Sequence, residues 1–299
     1  MTRSTALTAD PTPRRDQAKA VRRRRPRERP AGPPTVRHTN PDGLATAPRW
    51  WRELTVIAAF YIVYTAIRDV RGTRPVSVAV AYHHAQWIIG LERALGVFHE
   101  APIQHIALHE HFVVEVLDVW YGSTHFVVTA AVLVLLFFHY PARYRIWRNA
   151  LAGATTLALA GFAFFPLMPP RLLPPGYGFV DTLQVIGGFW AFNSGPMPDL
   201  SNQFAAMPSL HVAWALWCGA ALIPVMRRWW SKTAVACYAM ITLVGVIVTG
   251  NHYIVDAVVG ALIVAVGYKA SSLAVTLTRR RESAAANSGA LSDRAPGVP

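Results

Sequence analysis

Charged residues are scarce in this sequence. Asp, Glu, Lys and Arg together make up 15% of its 299 residues, whereas 53% are hydrophobic and the mean hydropathy is +0.28. Soluble domains carry roughly a quarter charged residues, so this shortage excludes an ordinary soluble globule. The composition indicates a protein that lies in a membrane.

Cysteine is nearly absent as well. Cys218 and Cys237 each lie inside an apolar stretch, and they supply neither a metal-ligand spacing nor a disulfide framework. We interpret both as buried thiols without a redox role. The sequence also lacks a nucleotide-binding loop, a zinc-protease motif and an internal repeat. Near the start it has no apolar core followed by a small-residue cleavage site, so we predict no secretory signal peptide.

Basic residues are the exception to this scarcity. Lysine and arginine number 29 against 16 acidic residues, which gives a formal net charge of +13. Such a charge is typical of nucleic-acid binding proteins, but its placement argues against that partner. Thirteen of the basic residues precede the first apolar run, and the others flank later runs. Charge placed in this way orients a membrane protein.

The first 49 residues have a composition of their own. They are rich in Pro, Arg, Thr and Ala and have almost no large apolar side chain. Because such a segment cannot bury enough surface to offset its conformational entropy, we predict a disordered, basic cytoplasmic tail. Its arginines serve as a topology determinant or, alternatively, attract anionic lipid headgroups at about 1 kcal/mol for each basic residue near the surface.

Six apolar segments follow the tail and predict an all-α fold, a six-helix transmembrane bundle. The first segment is short for a span, which requires about 20 residues, but Trp50 and Trp51 can sit at the interface beside it. We divide the chain into the tail 1–49, a six-span membrane domain 50–275 and a polar cytoplasmic tail 276–299. The predicted spans are residues 54–67, 122–139, 149–166, 210–226, 233–249 and 253–268.

Positive charge is distributed unequally between the two sides of this bundle. Loops and tails place 24 basic residues on one side and five on the other. The positive-inside rule therefore predicts a multi-pass protein of the cell membrane with both termini in the cytoplasm. The segments that face outward are then 68–121, 167–209 and 250–252.

The first outward segment contains two helical patterns. Residues 76–98 have helical spacing and predict an extracytoplasmic interfacial helix between spans one and two. Residues 103–121 predict a second helix that continues into span two. One face of the interfacial helix carries Ala79, His83, Trp87, Leu91 and Leu95.

The end of the third predicted span carries an isolated cation. Residues 166–174 read Pro-Leu-Met-Pro-Pro-Arg-Leu-Leu-Pro, so proline ends the helix and the rigid turn fixes where Arg171 points. No other lysine or arginine occurs between residues 149 and 226. Polar groups at membrane depth are functional candidates, although an arginine that snorkels to the interface explains this pattern equally well.

The start of the fourth predicted span has the chemistry of an anion site. Pro208 suits the first turn of a helix, and Ser209 can cap an unpaired amide. Free amides and the helix dipole favour an anion such as phosphate, and His211 lies within the same turn. The alternative is a plain helix cap beside an interfacial histidine.

The start of the sixth predicted span pairs a histidine with a carboxylate. His252 and Asp256 are four residues apart, so they share one face of a helix. We expect the carboxylate to accept the Nδ1 proton, which leaves Nε2 as the free lone pair that a nucleophile or base requires. A buried ion pair that serves only packing is the alternative, but it is a weak source of stability.

All three clusters lie on the outer side at one membrane depth. Phosphoryl transfer requires what they supply together: positive charge for the equatorial oxygens, an in-line nucleophile and a proton donor for the leaving oxygen. The same clusters resemble the three motifs of the type 2 phosphatidic acid phosphatase superfamily, which contain an arginine, a Pro-Ser-x-His and a His-x-x-x-Asp. The resemblance covers about residues 50–270.

This resemblance implies a role for each motif residue. His252 is the nucleophile that forms a phosphohistidine, Asp256 orients it, and His211 acts first as general acid and then as general base. Arg171, Ser209 and local backbone amides hold the phosphoryl group. The implied protein is an integral membrane phosphoester hydrolase or phosphotransferase that acts on a lipid phosphate among membrane lipids and uses no metal or other cofactor.

The motifs also depart from the common pattern of that superfamily. Phe164 stands where the first motif often has lysine, and Gly245 and Val246 stand where the third often has Ser-Arg. Leu172 follows the motif arginine in place of proline, and the second motif reads Pro-Ser-Leu-His. These features resemble the inositol-phosphotransferase branch, which includes the inositol phosphorylceramide synthases.

The missing cations have a physical consequence. A phosphomonoester approaches two negative charges near neutral pH and a phosphodiester carries one, so their loss favours a diester donor. We therefore expect headgroup transfer to a lipid hydroxyl or to water. Arg74 or Arg93 could supply the missing charge, and the alternative is then a polyprenyl diphosphate or phosphatidic acid phosphatase. A non-catalytic lipid-binding protein or a transporter is the rival from another class, although its ionisable groups would lie nearer the midplane.

Several other polar residues allow two interpretations. Tyr121 and His125 either line the pocket or anchor the interface, and Asp199 and Asn202 either approach a headgroup or are ordinary loop residues. Histidines and glutamates between 99 and 111 resemble a metal site, but their spacing fixes no third ligand, so we assign them to an amphipathic helix and predict no metal. These histidines and glutamates are His99, Glu100, His105, His109, Glu110 and His111. The sequence leaves the oligomeric state open.

Overall fold

A computed structural model describes residues 49–59, 62, 77–185 and 203–292, and of the side chains in the last range it leaves out 282 and 285–292. Residues 50–59, which overlap the start of the first predicted span, are helical. Arg74, Asp199 and Asn202 lie outside the described residues, as do residues 1–48 of the predicted tail and most of the second half of the first span.

Helices make up the regular structure of the described residues, which contain no β-strand and one isolated bridge between Leu167 and Ala205. The predicted all-α class is confirmed. Short 3-10 turns occupy Pro170–Leu172, Pro175–Tyr177 and Ile223–Val225. The helices are α1 Val78–Ala94, α2 Glu100–Ala107, α3 His111–His139, α4 Pro141–Phe164, α5 Thr182–Val185, α6 Leu210–Leu222, α7 Trp229–Val248 and α8 Ile254–Ser292.

Three stretches of this set are long and apolar enough to cross a membrane. They are His111–His139, Trp229–Val248 and Ile254–Arg281, and Leu210–Val225 is a shorter apolar stretch. The composition is compatible with a membrane protein, while the count of six spans stays a prediction.

Several helix boundaries differ from the predicted ones. The predicted continuous helix 103–121 is interrupted, because α2 ends at Ala107 and α3 begins at His111. In the gap, the amides of His109 and Glu110 close turns on carbonyls of α2. At the other end of the chain, α8 continues through the predicted boundary at residue 275 to Ser292.

The bundle core lies between α3, α4, α6, α7 and α8. Its largest fully buried side chain, Trp217, donates from Nε1 to the Trp147 carbonyl at 2.8 Å. Glycine permits a close helix crossing: a Cβ at Gly260 would lie 2.6 Å from the carbonyl oxygen of Ser209. The starts of α6 and α8 are therefore held side by side.

The predicted interfacial helix corresponds to α1, and its buried face is the opposite of the patterned one. Trp87 and Leu95 are 67% and 63% exposed. The small residues Ala81 and Ala85 are buried instead, against the loops that follow α4 and precede α6. Ala81 allows a close approach to loop backbone, because its carbonyl accepts the Met168 amide at 3.2 Å, and Ile88 and Ile89 are buried on the same side of the helix.

The prediction that both cysteines are buried is half wrong. Cys218 is buried, but Cys237 is exposed. α7 packs into the bundle through the face that carries Tyr238 and Thr242, and Cys237 lies outside it. An apolar helix at the edge of a bundle exposes part of its surface, so an apolar neighbourhood in sequence did not imply burial.

Candidate active site

The structure brings the two motif histidines together. The ring centroids of His211 and His252 are 5.7 Å apart and their planes are inclined by 58°. Tyr121 stacks on His211 with a centroid separation of 4.0 Å and lies 6.4 Å from the His252 ring. One cluster of aromatic and imidazole rings therefore contains Tyr121, His211 and His252, although the two histidines are 41 positions apart in sequence.

The tautomer of His252 is set by a backbone carbonyl that the sequence pattern did not indicate. Nδ1 donates to the carbonyl oxygen of Ala206 at 2.8 Å, whereas Oδ2 of Asp256 lies 3.5 Å from Nδ1. Asp256 Oδ2 instead accepts the Tyr253 amide at 2.9 Å. The expectation that this carboxylate is the acceptor of the Nδ1 proton is thus corrected: the short bond belongs to Ala206, and the carboxylate makes the longer ion-pair contact.

The consequence for the other ring nitrogen is the one expected. Because Nδ1 carries the donated proton, Nε2 of neutral His252 holds a lone pair. That nitrogen is buried and has no hydrogen-bond partner in the described part of the chain. An unsatisfied buried acceptor next to a second imidazole has the arrangement that a nucleophile requires.

Ser209 joins the second and third motifs. Its hydroxyl accepts the Val212 amide at 3.4 Å, which is the predicted cap of α6. Its own amide donates to the Asp256 carbonyl oxygen at 3.1 Å. The first turns of α6 and α8 are therefore connected by a hydrogen bond as well as by the crossing at Gly260.

Arg171 is anchored beside the histidine loop, which is residues 249–253 between α7 and α8. Nε donates to Oδ1 of Asn251 and Nη1 to Oδ2 of Asp181, each at 2.9 Å. The Arg171 amide donates to the carbonyl of Gly250 at 2.8 Å. At Gly250 the backbone has φ +66°, and a Cβ there would lie 3.2 Å from that of Arg171. Glycine thus allows the arginine turn to contact the residues that precede His252.

Two acidic residues near Arg171 were missed by the sequence analysis. Asp181 forms the ion pair described above, and the side chain of the arginine is only 16% exposed. Asp118 is buried, accepts the Thr182 hydroxyl at 2.9 Å and interacts electrostatically with Asp181 and Arg171. An aspartate inside the apolar α3 was a detectable signal. Asp181, in a loop, offered none.

Tyr121 and His125 lie behind His211. His125 is buried, its Nδ1 donates to the Tyr121 carbonyl at 3.0 Å, and its ring lies 4.2 Å from that of His211. Trp214 packs against the same ring at 5.7 Å. The structure thus places both residues against the second-motif histidine, which fits a pocket role better than an interface role.

The remaining candidates lie elsewhere or have other partners. The Arg93 guanidinium lies 5.1 Å from the centre of the Phe98 ring. His105 contacts the Gly178 carbonyl through Nε2 at 2.6 Å, and Glu100 accepts a backbone amide of α8. Among residues 77–185 and 203–281, no three or more His, Cys, Asp and Glu side chains are arranged to hold a metal ion.

The arrangement contains the kinds of groups that in-line displacement at phosphorus requires. It contains a buried imidazole with a free lone pair, a second imidazole beside it, a guanidinium anchored next to the first, and the capped start of α6. These groups supply nucleophile, proton donor and charge stabilisation within one cluster.

Comparison with known proteins gives one match. A family model described as the PAP2 superfamily matches residues 86–270, a range that includes every residue of the cluster. No curated protein matches the sequence, and no solved structure does.

Proposed function

Because the chain belongs to the PAP2 superfamily, whose members are phosphoesterases, we propose that it is a lipid phosphatase or phosphotransferase that works through a phosphohistidine on His252. The observation that carries this proposal is the buried, unpartnered Nε2 of His252 next to the ring of His211. The preferred reaction is transfer of a phosphoryl headgroup, as in the inositol-phosphotransferase branch.

The proposed reaction has two displacements. Nε2 of His252 attacks phosphorus, the bond from phosphorus to the leaving oxygen breaks, and protonated His211 gives that oxygen its proton. Neutral His211 then takes a proton from water or from a lipid hydroxyl, whose oxygen attacks phosphorus and breaks the phosphorus–nitrogen bond. Arg171, Ser209 and the amides at the start of α6 hold the non-bridging oxygens throughout.

The charges near Arg171 favour a diester donor. Asp181 already pairs with the guanidinium, and Asp118 lies within electrostatic range of both. Phe164 provides no second cation, and it is 80% exposed. A dianionic monoester therefore meets less net positive charge than the motif arginine alone suggests, while a monoanionic diester is tolerated better.

The proposed enzyme is a six-span membrane protein with both termini in the cytoplasm. Support comes from the long apolar helices and from the excess of arginine on one side of the predicted spans. In this orientation the cluster lies toward the outer leaflet, and α1, with Trp87 and Leu95 exposed, lies in the interface as an amphipathic helix.

The test is incubation of purified protein with labelled phospholipids, followed by chromatography of the lipid and water-soluble products. Phosphatidylinositol turnover that exceeds phosphatidic acid turnover is the expected result, with His252→Ala protein as the control. A large preference for phosphatidic acid or for a polyprenyl diphosphate would replace transfer by a phosphatase reaction. Equal turnover by the wild-type and His252→Ala proteins would remove the enzymatic proposal and favour a lipid-binding or transport protein.

A further inference from the structure

Three successive backbone amides at the start of α8 each donate to a carboxyl oxygen. One acceptor belongs to α8 itself, while the other two belong to α1 and α2, which lie outside the bundle core. The pairs are Tyr253 with Asp256 at 2.9 Å, Ile254 with Glu100 at 3.0 Å and Val255 with Glu92 at 2.7 Å.

Both outer glutamates are fully buried, with 0% exposure. Burying a carboxyl group is unfavourable unless its oxygens are paired, so the pair calls for an explanation. Burial and the neighbouring Glu100 raise the pKa of Glu92 to about 9. Glu92 is thus protonated at neutral pH, and its hydroxyl can donate toward Glu100; the Oε2 atom of each glutamate is buried and has no other hydrogen-bond partner among the described residues.

The bonded amides directly follow His252 in sequence. The first amides of a helix have no partner within the helix, and a helix start without acceptors frays. The histidine loop has further anchors nearby: the His252 amide donates to the Val246 carbonyl at 3.2 Å, and the Tyr253 hydroxyl donates to the Met168 carbonyl at 3.0 Å. The glutamates complete this set from the side of α1 and α2.

We propose that Glu92 and Glu100 are positioning residues for His252: they hold the first turn of α8 and thereby the direction of the nucleophilic nitrogen. The inference rests on the proposed role of His252. A misplacement of about 1 Å at a reacting group lowers a rate by about 10²-fold, so the loss of either carboxyl group reduces chemistry and leaves lipid binding intact.

The test compares Glu92→Ala, Glu100→Ala and Glu92→Gln in the full chain. Steady-state kcat and KM are measured, together with the single-turnover rate at which phosphate-labelled lipid labels the enzyme. Both alanine variants are expected to lower kcat and the labelling rate by about 10²-fold with KM unchanged. Glu92→Gln keeps an acceptor oxygen and a donor toward Glu100, and is expected to retain the wild-type rates.

A matched control separates positioning from stability. Glu53 is another largely buried carboxylate, which accepts from the Tyr144 hydroxyl and from Arg148 at the far side of the bundle. Glu53→Ala is expected to lower Tm with kcat retained. If Glu92→Ala and Glu53→Ala lower kcat equally at equal loss of Tm, the positioning role is overturned.

A second variant removes the backbone amide that donates and keeps the carboxyl group that accepts. Proline is favoured in the first turn of a helix, so Ile254→Pro deletes the amide that Glu100 accepts while both carboxyl groups stay. We expect Ile254→Pro to lower kcat and the double variant with Glu100→Ala to lose nothing more, whereas additive losses would overturn the bond's role.

The His252→Ala protein distinguishes the failure of the two proposals. If this protein is active, the proposed function is refuted. If it is inactive while the glutamate variants are fully active, only the positioning role is refuted.

Discussion

Two helix starts meet in the site, and their first amides are capped by different kinds of groups. α6 begins with the neutral hydroxyl of Ser209, whereas the amides at the start of α8 meet three carboxyl groups, those of Asp256, Glu100 and Glu92. Both starts have the positive end of a helix dipole, but only a start free of carboxylates attracts an anion. The comparison supports the proposal that the start of α6 receives the phosphoryl group and that the nucleophile His252 lies just before α8.

The largest expected effect concerns the residue in front of α8. His252→Ala removes the only proposed covalent ligand of phosphorus, so turnover is expected to fall by about 10⁴-fold or more and labelled phosphoenzyme to vanish. The measurement is the acid-labile, base-stable label that a phosphorus–nitrogen bond gives after a single turnover. Label that persists in His252→Ala would place the nucleophile elsewhere and break the comparison.

The next largest effect concerns His211 on α6. The effect of its loss is expected to depend on the leaving group of the substrate. His211→Ala removes the proton donor and lowers turnover of a lipid substrate by about 10²- to 10⁴-fold. A p-nitrophenyl ester needs no proton on its leaving oxygen, so formation of the phosphoenzyme from it is expected to recover. An equal loss with both substrates would contradict the assignment of His211 as general acid.

The ion pair beside the site offers a change in substrate preference. Asp181→Asn removes the carboxylate that faces Arg171 at 2.9 Å and leaves an amide of the same size. Turnover of phosphatidic acid relative to phosphatidylinositol is expected to rise roughly tenfold, which corresponds to about 1.4 kcal/mol. Gln184→Glu, which places a new charge beside Asp181 in place of its hydrogen-bonding amide, is expected to move the ratio the other way.

A charge placed on the α6 cap makes the two helix starts alike. Ser209→Asp still caps the helix, but its carboxylate repels an anionic substrate by about 1 kcal/mol, so KM is expected to rise several-fold. Ser209→Asn, a neutral cap of similar size, is the control and is expected to keep KM. A KM that stays constant in the Ser209→Asp protein would mean that phosphate does not bind at α6.

The smallest effect is the pH dependence of stability that Glu92 contributes. Its pKa is raised to about 9 by burial and by Glu100, so the folded state binds a proton that the unfolded state has lost above its ordinary pKa. Stability is therefore expected to decrease as pH rises toward 9, with Asp256 and Tyr253 as the other titratable neighbours. Thermal unfolding in detergent should show Tm falling by about 2–4 °C per kcal/mol lost. Glu92→Gln should flatten this slope, and an unchanged slope would mean that another group titrates.

Local patterns predicted the helices and the two histidine motifs because those signals lie within a few residues of each other. Ser209 caps α6 as its position before an apolar run predicted. The periodicity of α1 marked the stripe that carries Trp87 and Leu95, but it did not reveal that the opposite stripe packs against loop backbone. The break between α2 and α3 was missed for a similar reason: both flanks of the turn have helical spacing.

The partners of the site residues could not be predicted from spacing. The carbonyl of Ala206 carries no side-chain signal, yet it binds Nδ1 of His252, which is 46 residues away. Glu92 contacts the Val255 amide across 163 residues, and in sequence it resembles any surface glutamate. Asn251 directly precedes the motif residue His252, but its bond to Arg171 required the loop after α4 to lie against the residues between α7 and α8.

The sequence by itself determined the chemistry available: its scarcity of charge requires a membrane-type fold, and its motifs place an arginine and two histidines at helix ends, where backbone groups are unpaired. The tertiary structure alone decided which atoms meet. Glycine at the crossing of α6 and α8 and buried glutamates on α1 and α2 set the geometry, because hydrogen bonds and close packing act through space and depend on atoms whose separation along the chain carries no information about their distance.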